Sequence, residues 1–290
     1  MRPLFSAAGQ TRTERAGNDD DVEYHHAPSA PLNRDRKEPR MTQATPTNGS
    51  PTVMLVHGAF ADASSWNGVI ERLQAKGVPV TAPANPLRGI SIDSAYIAAV
   101  LEQIDGPVVA VGHSYAGAVI SNAASKAGNV VGLVFVAAFA TEEGELLGEA
   151  AATSKDAILG PVQVARNYPG SGGEQAVEIT IDPAGFREAF AADLPPEQTA
   201  VMAATQRPIA QLAFTEPNGP PAWKNLPSWA VVATGDRAAG TDLTRSMAER
   251  ADATITELDG SHVIMISQPQ AVTDVILEAV AAVPPMPVGA

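Results

Sequence analysis

The most informative segment of the sequence is Val108-Val109-Ala110-Val111-Gly112-His113-Ser114-Tyr115-Ala116-Gly117-Ala118. It begins with four apolar residues that suit a buried strand, and the residues after it favour a helix over 118–127. The pattern predicts a parallel strand, a sharp turn and a helix packed back against the strand. Small residues at positions 112 and 116 allow the two backbones to approach closely, because a larger side chain would clash there.

Ser114 occupies the apex of this predicted turn. A serine at such an apex has its hydroxyl lifted out of the sheet, beside helix N–H groups that stabilise negative charge. The pattern matches the nucleophile-elbow motif G-x-S-x-G except that Ala116 replaces the last glycine. Alanine is small, so this departure weakens the match only mildly. Ser114 is therefore the candidate nucleophile.

Length and composition limit the class of protein. The 290 residues suffice for one α/β domain of about 200–250 residues with an insertion or a tail. The net charge of −13 disfavours nucleic acid and anionic membranes as partners. With no cysteine, the chain has no disulfide, no thiolate catalysis and no cysteine-bound metal. No transmembrane run is found, and the N-terminus turns polar before a signal peptide could form, so we expect a cytoplasmic protein.

Strands and helices alternate on both sides of the Ser114 segment. Further strands are predicted over 52–56, 78–81, 130–137, 228–234 and 254–258, and helices over 64–75, 92–104, 242–250 and 269–283. This alternation is typical of βαβ units, in which helices cover both faces of a parallel sheet. We therefore expect an α/β fold with a mainly parallel sheet of about six strands.

The chain divides into four parts by composition. Residues 1–50 have no hydrophobic periodicity and are expected to form a disordered arm. The His25-His26 pair in this arm is interpreted as part of an exposed polar tail rather than a metal site. Met41 is an alternative start of translation. The α/β core covers 51–140 and 225–284, and 285–290 is a tail. The alternation stops over 141–224, which predicts an inserted helical cap with helices over 142–157, 183–192 and 196–205.

A serine needs a base within hydrogen-bond reach, and the chain has five histidines. Four are poorly placed: His25 and His26 in the arm, His57 at the end of the first strand and His113 on the far side of the turn. His262 remains, in a loop after the last strand, which should emerge at the same sheet edge as Ser114. We therefore interpret His262 as the base, with a helix-capping loop histidine as the alternative, and His57 as structural.

The histidine needs a carboxylate to hold its tautomer. Asp236 follows the preceding strand and gives the order Ser114, Asp236, His262. Four rivals are less well placed: Asp242, interpreted as the N-cap of the next helix, Asp259, Glu142 and Glu143. Asp236 is therefore the candidate orienting acid.

Acyl transfer also needs donors for the oxyanion and a pocket for the substrate. The amides of Tyr115 and Ala59 are the candidate oxyanion donors. Five aromatic residues are predicted to line the pocket, with plain packing as the alternative for those of the cap: Phe60, Phe186, Phe190, Phe214 and Trp223. Arg207 is a candidate anchor for a substrate carboxylate, with a surface salt bridge as the favoured alternative.

The chain over 52–282 resembles the α/β-hydrolase superfamily, and more narrowly its small cofactor-independent esterases. That branch includes bacterial carboxylesterases and the plant methylesterase and hydroxynitrile-lyase relatives. The resemblance rests on Val56-His57-Gly58-Ala59 with Trp66, on the segment 112–117 and on Gly260-Ser261-His262. It implies a triad of Ser114, Asp236 and His262 under a helical cap. The lyases carry a lysine after the catalytic histidine, and Val263 at this position disfavours cyanohydrin cleavage. The two leading antiparallel strands common in the superfamily are not evident before Thr52.

These observations predict a serine hydrolase that acts on small-molecule carboxylic esters without metal or cofactor. The sequence is compatible with a homodimer. Two alternatives remain. The same triad could catalyse a related reaction, namely perhydrolysis, cofactor-free halide oxidation through a peracid, or lactone opening. Or the domain could be a relative that binds a ligand without catalysing a reaction. The chain contains no G-x-G-x-x-G and no phosphate-binding lysine motif, so nucleotide binding has no support.

Overall fold

The computed structural model describes residues 50–170 and 173–283. Its strands are β1 (Thr52–Val56), β2 (Val80–Thr81), β3 (Val108–His113), β4 (Val130–Val136), β5 (Gln163–Pro169), β6 (Gln175–Ile181), β7 (Ile209–Ala210), β8 (Ser228–Ala233) and β9 (Thr254–Leu258). Its α-helices are α1 (Asn67–Ala75), α2 (Ile90–Leu101), α3 (Ala116–Ala124), α4 (Leu147–Ala151), α5 (Pro183–Phe190), α6 (Pro196–Thr205), α7 (Leu212–Thr215), α8 (Thr241–Arg250), α9 (Ile264–Ser267) and α10 (Pro269–Ala282). None of these helices is long and apolar enough to cross a membrane.

The described part of the chain contains a six-stranded sheet, in the order β2-β1-β3-β4-β8-β9. All five pairings are parallel. Every residue of β3 and β8 is buried, although successive side chains point to opposite faces, so both faces of the sheet are covered. The predicted α/β-hydrolase-type sheet of about six strands is confirmed.

The parallel strands end at one edge of the sheet, where the chain leaves them in short loops. The loop after β1 carries Ala59, the turn after β3 carries Ser114, and the loops after β8 and β9 carry Asp236 and His262. Because the carboxyl ends of parallel strands share an edge, residues far apart in sequence meet there.

The insertion between β4 and β8 differs from the helical cap predicted for 141–224. Two of the predicted helices are present as α5 and α6, whereas the first is reduced from 142–157 to α4. The insertion also contains a three-stranded antiparallel sheet, in the order β5-β6-β7, which the sequence analysis missed. Five of the seven residues of β5 are exposed, and three of those five are polar, so that strand lacks the apolar alternation by which strands are recognised.

The predictions for the arm 1–50 fall on residues 1–49, outside the described part, as do His25-His26, Met41 and the tail 285–290.

Candidate active site

Ser114 lies in the predicted sharp turn between β3 and α3. Its φ of 55° is in the left-handed region that non-glycine residues seldom adopt. The main chain holds this conformation: Ser114 N donates to Val136 O over 3.2 Å, and Ser114 O accepts from Gly117 N over 3.0 Å. The close approach expected at Gly112 is present, since a Cβ there would lie 2.6 Å from the carbonyl oxygen of Ala116.

The turn accommodates alanine at the position of the last motif glycine. Ala116 is fully buried at the start of α3, and its methyl group is accommodated. The second tight contact falls one residue later, where a Cβ on Gly117 would lie 2.6 Å from Phe139 O. Gly117 thus provides the close packing against the chain after β4.

Asp236 and His262 form a buried pair. The distance from Asp236 Oδ2 to His262 Nδ1 is 2.8 Å, and both residues are about 1% exposed. The other carboxylate oxygen, Oδ1, accepts from the amides of Ala238 and Ala239 over 2.9 and 3.0 Å. A carboxylate can only accept, so Nδ1 carries a proton and Nε2 is left as the basic nitrogen of the neutral ring.

The four rival carboxylates lie elsewhere. Asp242 is inside the first turn of α8, whose N-cap residue is Gly240, so the expected N-cap role is wrong; Asp242 instead accepts from Ser154 Oγ over 2.5 Å. Glu142 pairs with Lys224 over 2.6 Å. Asp259 and Glu143 are exposed.

His113 supports His262 in a way the sequence did not predict. Its Nε2 donates to the carbonyl oxygen of His262 over 3.0 Å, and the two ring centroids are 4.7 Å apart. Burial and the neighbouring His262 hold the pKa of His113 well below its usual value, so the ring is neutral. The only feature of the sequence that could have indicated this contact is the position of His113 directly before Ser114.

His57 and Arg207 interact beneath the loop after β1. His57 Nδ1 donates to Gly58 O, and its Nε2 accepts from Asn85 N over 2.9 Å. Arg207 Nη1 donates to Asn85 O over 2.9 Å and to His57 Nε2 over 3.2 Å. Burial, together with the Arg207 charge, lowers the pKa of His57 to about 4 despite its bond to Gly58 O. In the described residues Arg207 therefore braces this loop and makes no salt bridge.

The amides of Ala59 and Tyr115 belong to residues that line the cavity described next. In the described part of the chain neither amide has a hydrogen-bond acceptor, so both are available as donors. The Tyr115 side chain points away, since its hydroxyl donates to Asp93 Oδ2 over 2.8 Å. Burial of Asp93 raises the pKa of that carboxyl above its usual value.

A cavity of about 630 Å³ is lined by Ser114 and His262. Within the described residues no hydrogen bond joins Ser114 Oγ to His262, and in unliganded sites this contact is often long. The walls of the cavity are mostly apolar, and most of the residues that line it belong to the insertion between β4 and β8. Residues that the sequence analysis did not single out include Phe139, Leu146, Leu147, Leu159, Ile179, Gln163 and Gln211.

Of the five aromatic residues expected in the pocket, Phe60, Phe190 and Phe214 line this cavity. Phe186 and Trp223 lie outside its wall. Phe186 packs behind Phe190, with ring centroids 5.2 Å apart, and Trp223 Nε1 donates to Thr141 O over 3.2 Å. Apolar character and position in the cap could not separate residues of the wall from residues behind it.

Comparisons with known proteins agree on the fold. Among solved structures, tomato methylketone synthase I in complex with 2-tridecanone has a TM-score of 0.67 at 19% identity, over 81% of this chain and 99% of its own. A polyneuridine aldehyde esterase mutant has a TM-score of 0.66 at 18% identity, over 79% of this chain and 98% of its own. A pyrethroid hydrolase from Sphingobium faniae JZ-2 has a TM-score of 0.64 at 20% identity, over 80% of this chain and 98% of its own.

No curated protein sequence matches the chain. A family model described as the alpha/beta hydrolase family matches residues 53–275, which is most of the chain and includes every residue of the site. This match agrees with the parallel sheet, the turn at Ser114 and the buried Asp236–His262 pair. The chain belongs to the alpha/beta hydrolase family.

Proposed function

We propose that this hydrolase cleaves carboxylic esters through an acyl-enzyme on Ser114, with His262 as base and Asp236 as orienting acid. The observation that carries the proposal is the buried 2.8 Å contact between Asp236 and His262, together with the shared cavity of His262 and Ser114. An esterase-type activity also agrees with the family and with the esterase and hydrolase among its structural neighbours.

In the first half of the reaction, Ser114 Oγ attacks the ester carbonyl carbon while His262 Nε2 takes the hydroxyl proton. The carbonyl oxygen becomes an oxyanion, which the free amides of Ala59 and Tyr115 stabilise; one such donor is typically worth about 3 kcal/mol of barrier. When the C–O bond to the alcohol breaks, His262 returns the proton to the leaving oxygen. Asp236 stabilises the transient imidazolium throughout.

In the second half, water enters and His262 removes its proton as the oxygen attacks the acyl carbon. The tetrahedral intermediate collapses, Ser114 recovers its proton, and the carboxylic acid leaves. Only the neutral form of the imidazole can accept the proton in each half of the reaction.

The cavity favours bulky, uncharged, largely hydrocarbon esters. Its volume of about 630 Å³ is in the range of pockets that hold drug-sized ligands. Glu149 is the one charged side chain among its described wall residues. The long apolar ketone bound by the tomato neighbour and the pyrethroid named for the bacterial one are ligands of this general kind.

The test is hydrolysis of p-nitrophenyl esters of graded acyl length by the wild type and by Ser114→Ala. We expect multiple turnover by the wild type and a loss of about 10³-fold or more in the variant. Equal background rates in both proteins would overturn the proposal. Peracid formation when hydrogen peroxide replaces water as acceptor would favour perhydrolysis on the same triad, and ligand binding without turnover would favour the non-catalytic alternative.

A further inference from the structure

The loop that carries His262 is held by a carboxylate from the insertion. Asp193 lies between α5 and α6, and its Oδ2 accepts from the main-chain N–H of Ser261 over 3.0 Å. Its Oδ1 accepts from the Ser261 hydroxyl. Ser261 is only 4% exposed and directly precedes His262. One carboxylate thus takes both polar hydrogens of the residue before the proposed base.

We propose that Asp193 is a positioning residue, which fixes the His262 loop from the cap side and thereby sets the place of the imidazole over Ser114. This inference rests on the proposed function, because positioning has a catalytic consequence only if His262 is the base. Asp193 does not line the cavity and is not expected to touch substrate.

The loop is shaped for this contact. A Cβ added to Gly260 would lie 2.8 Å from Asp193 Oδ2, so the carboxylate approaches closer than any side chain at position 260 would allow. Burial acts to raise the pKa of Asp193, but the hydrogen bonds from Ser261 hold it below its usual value. The contact therefore persists as a charge-assisted pair at neutral pH.

The same cap segment also contacts His262 from a second direction. The ring of Phe190, at the end of α5, lies with its centroid 5.1 Å from that of His262. Phe190 limits the tilt of the imidazole, whereas Asp193, three residues later, limits movement of the backbone. Without Asp193, the loop would keep its bonds to His113 and Asp236 and the contact with Phe190 but lose its hydrogen bonds to the insertion.

The experiment compares Asp193→Ala and Asp193→Asn in the full chain, with Glu197→Ala as a matched control. Glu197 is an exposed carboxylate in the first turn of α6 and makes no hydrogen bond with another described residue. Two quantities are measured: kcat and KM on a p-nitrophenyl ester, and the downfield proton NMR signal of His262 Nδ1–H. The melting temperature of each variant is recorded so that the assays are run on folded protein.

We expect Asp193→Ala to lower kcat by about 10- to 100-fold, because small misplacements of a catalytic group are costly, while KM changes by less than about 2-fold. The NMR signal should broaden or shift. Asp193→Asn keeps one acceptor and should lose less activity, and Glu197→Ala should match the wild type in both measurements.

Wild-type kcat and an unchanged Nδ1–H signal in Asp193→Ala would overturn the proposal. So would a fall in melting temperature with no change in kcat at a temperature where the variant is folded. If Asp193→Ala does not fold, Asp193→Asn and Ser261→Ala, which each remove part of the contact, decide by the same two measurements. If the wild type hydrolyses no ester, the proposed function fails, while the NMR signal still reports whether Asp193 fixes His262.

Discussion

The main-chain N–H of Gly235 donates to the carbonyl oxygen of Gly260 over 2.9 Å. This bond joins the loop after β8 to the loop after β9, one residue before Asp236 and two residues before His262. A backbone hydrogen bond that neither side chain forms thus lies directly beside the 2.8 Å contact between Asp236 and His262.

Gly235→Ala should disrupt that hydrogen bond, because a Cβ at position 235 would lie 2.9 Å from the same carbonyl oxygen. We expect kcat/KM to fall about 10- to 100-fold and the free energy of unfolding to fall by about 1–3 kcal/mol. Ester hydrolysis and urea unfolding measure the two effects. The matched control is Gly128→Ala, since a Cβ at Gly128 meets no atom within 4 Å. Identical activity in the two variants would contradict the prediction.

Asp236→Asn should lower kcat by about 10³- to 10⁴-fold. Oδ1 of Asp236 accepts from two backbone amides, so the amide oxygen of asparagine is expected to stay there and its NH₂ group to face His262. Nδ1 must then accept, which moves the ring proton to Nε2 and removes the base. The rate on the preferred ester is the measurement, and Asp259→Asn, which changes an exposed carboxylate, serves as control. The idea fails if Asp259→Asn is the slower enzyme.

Acyl chains that end in a carboxylate should be poor substrates. The described wall of the cavity offers no lysine or arginine, and Glu149 is an exposed carboxylate within it. Against a neutral ester of equal chain length, we expect kcat/KM to be at least about 10-fold lower, since a charge loses solvation without gaining a partner. The difference in kcat/KM between the charged and the neutral ester should be smaller in Glu149→Gln than in the wild type, and smaller still in Glu149→Lys. Equal rates for both esters in the wild type would refute the argument.

Stability should fall on acidification through His57. Burial lowers the pKa of His57 to about 4 in the folded chain, against an ordinary value of 6.5. Between these values the unfolded chain binds a proton that the folded chain does not, so the stability present above pH 6.5 is lost as the pH falls toward 4. Over this pH range, the titration of His57 is expected to lower the free energy of unfolding by about 3 kcal/mol.

The measurement is urea unfolding at several pH values between 7 and 4.5, for the wild type and His57→Gln. The variant lacks this titration, so the wild type should lose more stability on acidification than His57→Gln does. Parallel pH dependences would show that His57 is not the group responsible. His113, whose pKa is also lowered by burial, contributes with the same sign in both proteins.

The elements that could be predicted from the amino-acid sequence are those with local signals. The apolar run before Gly112 and the small residues after it predicted the strand, the turn and the helix around Ser114, because close backbone approach admits only small residues there. The order of Ser114, Asp236 and His262 at strand ends followed from the common edge of a parallel sheet. The elimination of rivals selected the histidine and carboxylate that lie 2.8 Å apart.

The contacts between distant residues could not be predicted and were found only in the three-dimensional structure. The exposed strand β5 has no periodic signal and forms through pairing with β6, so the insertion could not be predicted beyond its helices. Phe190 and Phe186 have the same chemistry and lie four residues apart, yet only Phe190 lines the cavity. The contacts of His113 with the His262 carbonyl, of Asp193 with Ser261 and of Gly235 with Gly260 join segments separated by 25 to 149 residues. No local pattern specifies such contacts, because they arise from packing of the whole chain.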